Sequence, residues 1–479
     1  MKTVIIGGGI GGLATAWYVQ QFDPLAEIVI CEASPRWGGL IASSQLDGNH
    51  IERGPDAILS VKPAGLRLIH ELGLADDIVT TNPAARQAYI ARGQRLVPIP
   101  AGLDLVAPAR IWPFLCSSIV GWGTKLRMAC DVILPRRKTS GDESLASFVR
   151  RRMGQGALRH IVQPLVGAIH SVDPEDLSVE AVFPRFHQLE TTHRSLIRGL
   201  RASAPQSGVS GPRYGLFISL RGGLERLVTT LVSRLAPRQD LRLQCPVYTL
   251  ARTNSGWQVD TAQGSITADT VVLALPAPRA AALMAAIDPG MSAALAAIPY
   301  HGVATVNVIC KQAALARLPP GAGMVVPRHE QRTLFACSFA SQKFAERNKP
   351  GHVIVRAAVG GGLDATRLTF SDEAIIAGVH HDLGELIGLT GTPIATVVSR
   401  WPASLPHYRV GHVDFIRQLR RAEAQLPGLV LVGNAYEGTG IPDVIAGAEA
   451  AARRLTAGTL AAITAANTAA SPASTAVSA

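Results

Sequence analysis

The first twelve residues constrain the fold of this chain more than any other stretch. An apolar run at 4–6 predicts a short buried strand. The motif G-x-G-x-x-G follows directly, with its glycines at Gly7, Gly9 and Gly12. A helical pattern begins at once, and a second apolar strand ends in Glu32, twenty residues after Gly12. This order of strand, glycine turn, helix, strand and acid is typical of a dinucleotide-binding βαβ unit in a parallel sheet.

Each part of this motif has a physical role. Gly7 permits the tight turn, Gly9 lets the backbone approach a pyrophosphate, and Gly12 lets the helix pack close to the strand. The pyrophosphate would rest on the helix N-terminus, where free N–H groups and the helix dipole favour an anion. Glu32 would bind a ribose hydroxyl. The alternative is a glycine-rich structural turn, which explains neither the following helix nor the spacing of Glu32.

The residues after Glu32 favour one dinucleotide over the other. Residues 36–43, Arg-Trp-Gly-Gly-Leu-Ile-Ala-Ser, resemble the R-x-G-G-R-x-x-[ST] stretch that follows the ribose-binding acid in the amine oxidase superfamily of FAD enzymes. Enzymes that bind NAD do not usually carry this stretch. Leu40 replaces the second basic residue, and the alternative interpretation is an ordinary turn with a surface arginine at Arg36. The resemblance implies that the cofactor is FAD.

Composition and charge exclude some classes of function and leave others open. The 479 residues suit two or three domains, and a hydrophobic content of 47% supports a sizeable core. Lys and Arg exceed Asp and Glu by 11, which is compatible with an anionic membrane surface or an acidic substrate. Nucleic acid is disfavoured because the positive charges are spread out and no nucleic-acid-binding motif accompanies them.

Cysteine usage and hydropathy indicate the compartment. The six cysteines show no pairing motif or metal-ligand spacing, so they predict reduced, mostly buried thiols of a cytoplasmic protein and no metal site. No stretch of about 18 or more uninterrupted apolar residues is present, which predicts no membrane-spanning helix. Because the glycine motif begins at Gly7, we also expect no N-terminal signal peptide before it.

Several later stretches resemble the protoporphyrinogen oxidase family. They include 48–56, Gly-Asn-His-Ile-Glu-Arg-Gly-Pro-Asp, then 70–74, His-Glu-Leu-Gly-Leu, and 98–102, Pro-Ile-Pro-Ala-Gly. The strongest is 429–443, Leu-Val-Leu-Val-Gly-Asn-Ala-Tyr-Glu-Gly-Thr-Gly-Ile-Pro-Asp. The resemblance covers about 1–457. It implies that the Gly-Pro-Asp turn lies against the flavin ring and that the last helix points its N-terminus at the N1–C2=O edge of the flavin.

The resemblance also implies an amine oxidase-like α/β fold, in which a Rossmann-type FAD-binding domain is joined to a mixed-sheet substrate domain and a helical subdomain. The FAD-binding domain is expected to comprise three segments: 1–80, 215–290 and 421–457. Residues 81–214 then form the helical subdomain and part of the substrate domain, and 291–420 form the substrate-domain sheet. From 458 to 479 the composition is Ala, Thr and Ser without periodicity, which predicts a disordered tail.

The glycine motif and the resemblance together predict a set of cofactor-binding residues. In the family, the position of Val247 contributes a backbone contact to the adenine. The predicted cofactor-binding residues are Gly7, Gly8, Gly9, Ile10, Gly11, Gly12, Glu32, Ala33, Arg36, Gly39, Leu40, Gly54, Pro55, Asp56, Ala57, Val247, Gly433, Ile441, Pro442 and Asp443.

Three residues are predicted to bind substrate, all from the resemblance. Arg86 stands three residues before Tyr89, where plant and mitochondrial relatives have an arginine that contacts a substrate propionate, although a plain surface arginine is the alternative. His170 lies in a segment that lines the substrate cavity of relatives, and at 168–172 this chain departs from the usual pattern P-L-x-S-G-I-Y-A-G-D. His170 could bond a carboxylate or replace an aromatic wall residue. Trp401 belongs to the stretch that resembles the last strand of the substrate domain.

The activity implied by the resemblance is FAD-dependent oxidation of a porphyrinogen, coproporphyrinogen III or protoporphyrinogen IX, in haem synthesis. Six electrons leave in three two-electron steps and pass to oxygen, and no side chain is predicted to be an obligatory acid or base. Two alternatives stay open. One is an amine oxidase or carotenoid-type desaturase on the same fold, and the other is a flavin- or porphyrin-binding protein without turnover.

The expected partners are the porphyrinogen and oxygen, without nucleic acid, and the resemblance allows contact with another enzyme of haem synthesis. Residues 103–140 mix apolar and basic residues, including the basic run 136–138. A helical subdomain with a solvated basic loop accounts for them. So does a membrane-surface patch of the kind through which some family members are peripherally bound. The expected location is the cytoplasm, with or without such contact at the membrane.

Overall fold

A computed structural model of the protein describes residues 1–137, 141–203 and 217–469, and the side chains as far as 457. Within these residues the strands are β1 (Lys2–Ile6), β2 (Glu27–Cys31), β3 (Ser43–Leu46), β4 (Asn49–Glu52), β5 (Ile58–Leu59), β6 (Ile78–Thr80), β7 (Ala88–Arg92), β8 (Arg95–Pro98), β9 (Leu103–Asp104), β10 (Ala107–Pro108), β11 (Phe217–Leu220), β12 (Asp240–Arg242), β13 (Val247–Thr253), β14 (Gly256–Thr261), β15 (Gly264–Ala268), β16 (Thr270–Leu273), β17 (Tyr300–Lys311), β18 (Gly323–Val325), β19 (Leu334–Ser338), β20 (His352–Gly360), β21 (Ala395–Pro406) and β22 (Leu429–Leu431).

The α-helices of the same residues are α1 (Ile10–Phe22), α2 (Pro63–Glu71), α3 (Ile111–Cys116), α4 (Trp122–Ala129), α5 (Leu145–Arg152), α6 (Gln155–Ala157), α7 (Gln163–His170), α8 (Val179–Val182), α9 (Pro184–His193), α10 (Leu196–Ala202), α11 (Glu225–Leu235), α12 (Ala277–Met284), α13 (Pro289–Ala296), α14 (Ala340–Lys343), α15 (Asp372–Ile387), α16 (His412–Ala424) and α17 (Ile441–Ala469). A π-helical segment, Leu158–Val162, joins α6 to α7.

The last helix extends farther than the sequence suggested. The expected disordered tail began at 458, but the backbone of α17 is helical to Ala469. Alanine has the highest intrinsic helix propensity, and the alanine-rich composition of 458–469 accounts for this correction. Residues 470–479, on which the rest of that prediction falls, lie outside the described part of the chain.

A five-stranded parallel sheet holds the N-terminal strand at its centre. Its strand order is β12-β2-β1-β16-β22, and every neighbouring pair is parallel. One face packs against α1, α11 and α17, and the other packs against α12, α13 and the small sheet β13-β14-β15. Because both faces are covered, the central strands are mostly apolar, as in β16 with Val271, Val272 and Leu273. This sheet confirms the predicted Rossmann-type architecture.

A seven-stranded mixed sheet forms a second layer. Its order is β21-β17-β20-β19-β18-β7-β8, in which β7 and β18 are parallel and the other neighbours are antiparallel. Helix α15 covers one face of this sheet. The opposite face meets α7 and the segment that follows β4, since Asn307 and Thr305 of β17 bond the carbonyls of Glu52 and Arg53. The predicted mixed sheet is thereby confirmed.

The helices between α3 and α10 pack around a core of their own, which includes Phe148. A fully buried ion pair lies within it, with Arg152 Nε 2.7 Å from Asp131 Oδ1. Asp131 also accepts a bond from Ser195, so neither charge is left without partners. Helices therefore dominate residues 103–203, whereas the division of the whole chain into the three predicted regions stays a prediction.

Candidate functional site

The glycine loop between β1 and α1 shows which glycines the fold itself requires. Gly7 has φ = +110°, and a Cβ there would lie 2.3 Å from the Ala274 carbonyl oxygen. A Cβ on Gly12 would lie 2.0 Å from the Gly7 carbonyl oxygen. At Gly9 the φ angle is an ordinary −74°, and the nearest atom to an added Cβ is Gly39 Cα at 3.8 Å. The folded chain therefore has room for a side chain at Gly9, and the space over this residue is open to a ligand.

The start of α1 fits an anionic ligand in that space. Gly9 is the N-cap, and it supplies no side-chain oxygen to the free N–H groups of the first turn. The first turn also contains no Asp or Glu. A phosphate at this point would satisfy the free amides and the positive end of the helix dipole. The arrangement therefore fits the pyrophosphate of FAD.

Glu32 is held by backbone bonds at the end of β2. Its carboxylate accepts the Gly8 amide at 2.7 Å and the Ser34 amide at 2.8 Å. The amide of Cys245, two residues before Val247, donates to the Glu32 carbonyl at 2.8 Å. The exposed Ala33 lies between Glu32 and Ser34. The structure thus brings Glu32, Ala33 and the segment leading to Val247 together, as a site for the adenosine part would require.

Arg36 shapes the loop that faces the glycine motif. Its guanidinium donates to the carbonyls of Trp37 at 3.2 Å and Ile41 at 3.0 Å, and also to that of Gly39. These hydrogen bonds fold the loop so that Gly39 lies beside Gly9. Arg36 therefore shapes the space over Gly9 by holding the backbone of the loop in place.

The loop after Arg36 also contacts the Gly-Pro-Asp turn, which comprises residues 54–56. A Cβ on Gly54 would lie 1.8 Å from the Leu40 carbonyl oxygen, so only glycine fits. Trp401 packs at 3.6 Å from the same position and donates its indole N–H to the Arg53 carbonyl at 2.7 Å. The Arg36 guanidinium lies 5.7 Å from the Trp401 ring centroid. Trp401, expected to bind substrate, is thus placed beside the cofactor loop and this turn.

An ion pair fixes the Gly-Pro-Asp turn to the mixed sheet. Lys343, at the end of α14, donates to Asp56 Oδ2 at 3.0 Å and is only 6% exposed. Burial alone would raise the pKa of the Asp56 carboxyl, but Lys343 and two neighbouring arginines hold that pKa well below its usual value. Burial lowers the pKa of Lys343, and Asp56 opposes this effect. Asp56 is therefore an acceptor that stays ionised.

Two arginines complete the support of this turn. Arg347 donates to the Asp56 carbonyl at 2.7 Å and lies 3.7 Å from the carboxylate of buried Glu52. Burial raises the pKa of Glu52, and Arg347 opposes that shift. Arg356, from β20, donates to the Gly54 carbonyl. Sequence reasoning missed Lys343, Arg347 and Arg356, because 340–356 carries no motif and only the packing of α14 and β20 brings these cations to the turn.

The start of α17 borders the glycine loop between β1 and α1. Gly11 lies so near this helix that an added Cβ would be 3.2 Å from Val444. Pro442 packs 3.3 Å from the Cβ position of Gly65, and Asp443 pairs with Lys62 at 2.6 Å. The predicted positions Gly433, Ile441, Pro442 and Asp443 thus lie on the strand exit and helix start that border the glycine loop.

Arg86 lies in the segment 82–87, whose two ends are hydrogen-bonded to Lys343 and Ala322. The amide of Asn82 donates to the Lys343 carbonyl at 3.0 Å, and the amide of Ala322 donates to the Gln87 carbonyl at 2.7 Å. Within the described part of the chain, Arg86 Nε is buried and has no hydrogen-bond partner. A buried N–H without an acceptor costs free energy unless a ligand satisfies it, which favours a binding role over that of a plain surface arginine.

His170 lies at the end of α7, which packs over β18 and β19. Its ring meets Phe183 edge to face at 5.6 Å between centroids, in agreement with the wall alternative. The following segment bonds a strand-end loop, since the Ser171 carbonyl accepts the Gly362 amide at 2.5 Å.

A histidine pair that the sequence did not reveal borders the same segment. His301 Nε2 lies 3.3 Å from His407 Nδ1, and Gly362 packs against His301. Burial, assisted by His301 and Arg409, lowers the pKa of His407 to about 4. His407 is therefore neutral near pH 7 and adds no positive charge beside residues 168–172.

The glycine loop generates a prediction about the cofactor. Gly9→Val should fold with a melting temperature near that of the unchanged protein without cofactor, because the added Cβ meets only Gly39 Cα. Its remaining methyl groups should block the backbone approach of the pyrophosphate, so the purified protein should be colourless. Flavin absorbance and thermal melting measure the two effects.

Gly12→Ala is the matched control, since its Cβ would collide with the Gly7 carbonyl and lower the melting temperature itself. A yellow Gly9→Val protein with the flavin content of the unchanged chain would contradict the assignment of this loop.

Comparison with known proteins places this geometry in a family. A model of the flavin containing amine oxidoreductases matches residues 10–456. The coproporphyrinogen III oxidase of Bacillus subtilis (strain 168) is 34% identical, over 92% of this chain and 95% of the relative. The protoporphyrinogen oxidase of Bos taurus is 32% identical, over 94% of this chain and 98% of its own.

A crystal structure of an Exiguobacterium sp. 255-15 protein assigned to the protoporphyrinogen oxidases superposes with a TM-score of 0.86 at 32% identity, covering 95% of this chain and 99% of that one. The predicted amine oxidase-like fold and the predicted FAD cofactor are confirmed. The chain belongs to the flavin containing amine oxidoreductase family.

Proposed function

We propose that this protein is an FAD-dependent oxidase that converts a porphyrinogen to the porphyrin in haem biosynthesis. The observation that carries the proposal is the similarity to the relatives from Bacillus subtilis and Bos taurus, both named as porphyrinogen oxidases. The similarity extends over 92% and 94% of this chain, so it includes the seven-stranded mixed sheet as well as the five-stranded parallel sheet.

The chain supplies positioning and electrostatics, while FAD supplies the two-electron acceptor when it is bound. We propose the predicted cofactor-binding residues as its contacts, with the amides of the α1 N-terminus at the pyrophosphate and Glu32 at a ribose. The turn at 54–56, which Lys343 and Arg347 hold in place, would support the flavin ring of FAD. Arg86, His170 and Trp401 are proposed as substrate contacts, of which Arg86 would bind a propionate.

Oxygen is the electron acceptor in this proposal. A porphyrinogen loses six hydrogens on becoming a porphyrin, and three molecules of oxygen become three of hydrogen peroxide, so electrons and protons balance. Removal of a hydride from a saturated carbon bridge leaves a pyrrole N–H proton that is readily lost. A site of apolar walls and a few cations is sufficient for such chemistry.

The function predicts a fluorescent product. With oxygen, the purified protein should convert coproporphyrinogen III or protoporphyrinogen IX to its porphyrin, and oxygen uptake and peroxide release should rise in step with fluorescence. Because porphyrinogens also oxidise slowly unaided, the Gly9→Val protein is the control.

Two results would replace this function with an alternative. Turnover of amines or polyenes, with neither porphyrinogen oxidised faster than in the control, would support an amine oxidase or desaturase. Bound FAD with no substrate-dependent oxygen uptake would support a binding protein without turnover.

Arg86 generates a prediction about substrate affinity. Arg86→Ala should lower kcat/KM by the equivalent of about 1–3 kcal/mol, as for loss of a charged hydrogen-bond partner, while FAD stays bound. Steady-state kinetics and flavin content measure this. Arg95→Ala, which removes an exposed arginine from β8, should leave the kinetics unchanged. Equal kinetics for the two variants would make Arg86 a bystander.

We also propose peripheral membrane contact through the region 103–137. Four bulky apolar side chains there are largely exposed: Trp112 (75%), Trp122 (65%), Leu126 (67%) and Ile133 (80%). Trp122 and Leu126 are one helical turn apart on α4 and share a face. The exposed Arg110 and Arg136 add positive charge suited to anionic lipid. Lys138, the last residue of the basic run, lies outside the described part.

This surface predicts binding to vesicles of phosphatidylcholine with phosphatidylglycerol. Replacing both Trp122 and Leu126 with Ser should reduce the fraction that sediments with the vesicles, because apolar area that would enter the lipid is lost. Leu25→Ser, at an exposed leucine outside the region, is the control. Equal sedimentation of all three proteins, or none of the unchanged protein, would favour a solvated basic loop.

None of the helices in the described residues is long and apolar enough to cross a membrane. The expected cytoplasmic location and the partnership with another enzyme of haem synthesis stay predictions.

A further inference from the structure

Four charged side chains lie behind the Gly-Pro-Asp turn, largely withdrawn from water. Lys343, Arg347 and Glu52 are only 6%, 7% and 2% exposed. Lys343 Nζ lies 3.0 Å from Asp56 Oδ2, and a terminal nitrogen of Arg347 lies 3.7 Å from Glu52 Oε1. Because little water reaches these groups, their charges are screened less than charges at the surface.

This cluster holds more positive than negative charge. A third cation, Arg356, donates to the Gly54 carbonyl. Among the described residues of the cluster, three cations against two carboxylates leave one net positive charge. Burial raises the pKa of Glu52, and protonation of that carboxylate would only increase the excess.

The turn itself is not fully covered. Gly54 is buried, whereas Pro55, Asp56 and Ala57 are half-buried. The carboxylate and the carbonyl of Asp56 are both bonded to cations of the cluster. The turn therefore has buried positive charge behind it and leaves Pro55 and Ala57 partly accessible to a ligand.

In the proposed binding mode, the cofactor reaches this turn from the glycine loop. The adenosine part lies at Glu32 and the pyrophosphate at Gly9, so the flavin half continues from Gly9 away from Glu32. A Cβ on Gly39 would lie 3.2 Å from Gly9 Cα, and one on Gly54 would lie 1.8 Å from the Leu40 carbonyl oxygen. Residues 39–40 thus connect the pyrophosphate site directly to the turn.

We propose that the charges behind the Gly-Pro-Asp turn set the reduction potential of the flavin, with Lys343 raising it and Asp56 lowering it. This inference rests on the proposed function, in which the turn supports the flavin ring. Uptake of two electrons and one proton leaves a flavin with one more negative charge. A poorly screened cluster with net positive charge stabilises that charge, which makes the flavin a stronger acceptor of electrons from the substrate.

The test measures the flavin midpoint potential at pH 7, without substrate, in variants that each remove one charge. Lys343→Met removes a positive charge and should lower the potential. Asp56→Asn removes a negative charge and should raise it. A unit charge about 10 Å away in a partly dry region changes an equilibrium roughly tenfold. For a two-electron couple, a tenfold change corresponds to a shift of about 30 mV.

Two further variants separate charge from structure. Lys343→Met combined with Asp56→Asn leaves the net charge as it was, so the potential should return close to that of the unchanged protein. Lys349→Met removes an exposed cation that pairs with the exposed Asp47, and it should leave the potential unchanged because water screens that charge. Flavin content and thermal melting of each variant show that the cofactor is bound and the chain is folded.

Several outcomes would overturn the inference. A pair that only holds the turn in place is broken equally by either single change, so shifts of the same sign would mean a structural role. Unchanged potentials, or loss of flavin from both single variants, would mean the same. If Lys343→Met does not fold, Asp56→Asn and the double variant still decide the sign.

The proposed function can fail separately. Because the potentials are measured without substrate, opposite shifts in a protein that oxidises neither porphyrinogen would uphold the role of these charges and reject the porphyrinogen.

Discussion

The ion pair of Asp56 and Lys343 joins the Gly-Pro-Asp turn to the seven-stranded mixed sheet. Asp56 belongs to the turn that follows the hairpin β3–β4, and Lys343 ends a helix inserted between strands of the mixed sheet. Both groups are withdrawn from water, so breaking the pair by removing one partner would leave a buried charge, at a typical cost of about 3–5 kcal/mol. The position of the turn relative to the mixed sheet depends on this pair. It also depends on the hydrogen bonds that Arg347 and Arg356 donate to carbonyls of the same turn.

The charges around this turn bear on which ligands the neighbouring region favours. Two carboxylates, Asp56 and Glu52, lie beside Lys343 and Arg347, which leaves Arg356 as an additional positive charge. A region with excess positive charge favours an anionic ligand. It also disfavours a protonated amine, which would meet like charges on entry. Burial lowers the pKa of His407 to about 4, so this histidine adds no charge near pH 7.

The cofactor end of the molecule could be predicted from the sequence because its constraints are local. Gly7, Gly9 and Gly12 follow one strand directly, and the geometry of a tight turn into a helix depends on residues that are adjacent in the chain. Glu32 lies one strand later, and parallel pairing of β1 with β2 brings it to the Gly8 amide. At the end of α17 the composition without periodicity suggested disorder, whereas its alanine content favours a helix, and the backbone is helical to Ala469.

What the sequence by itself determined is the chemistry at the glycine loop: a free helix N-terminus, an acid at the right distance and a backbone that only glycine can adopt. What only the tertiary structure decided is which cations meet the Gly-Pro-Asp turn. Lys343, Arg347 and Arg356 belong to three different elements or loops, and many other arginines in this chain look the same in the sequence. Strand register and the packing of α14 bring Arg356 to Gly54 and Lys343 to Asp56. These are contacts between residues hundreds of positions apart, and no local pattern records them.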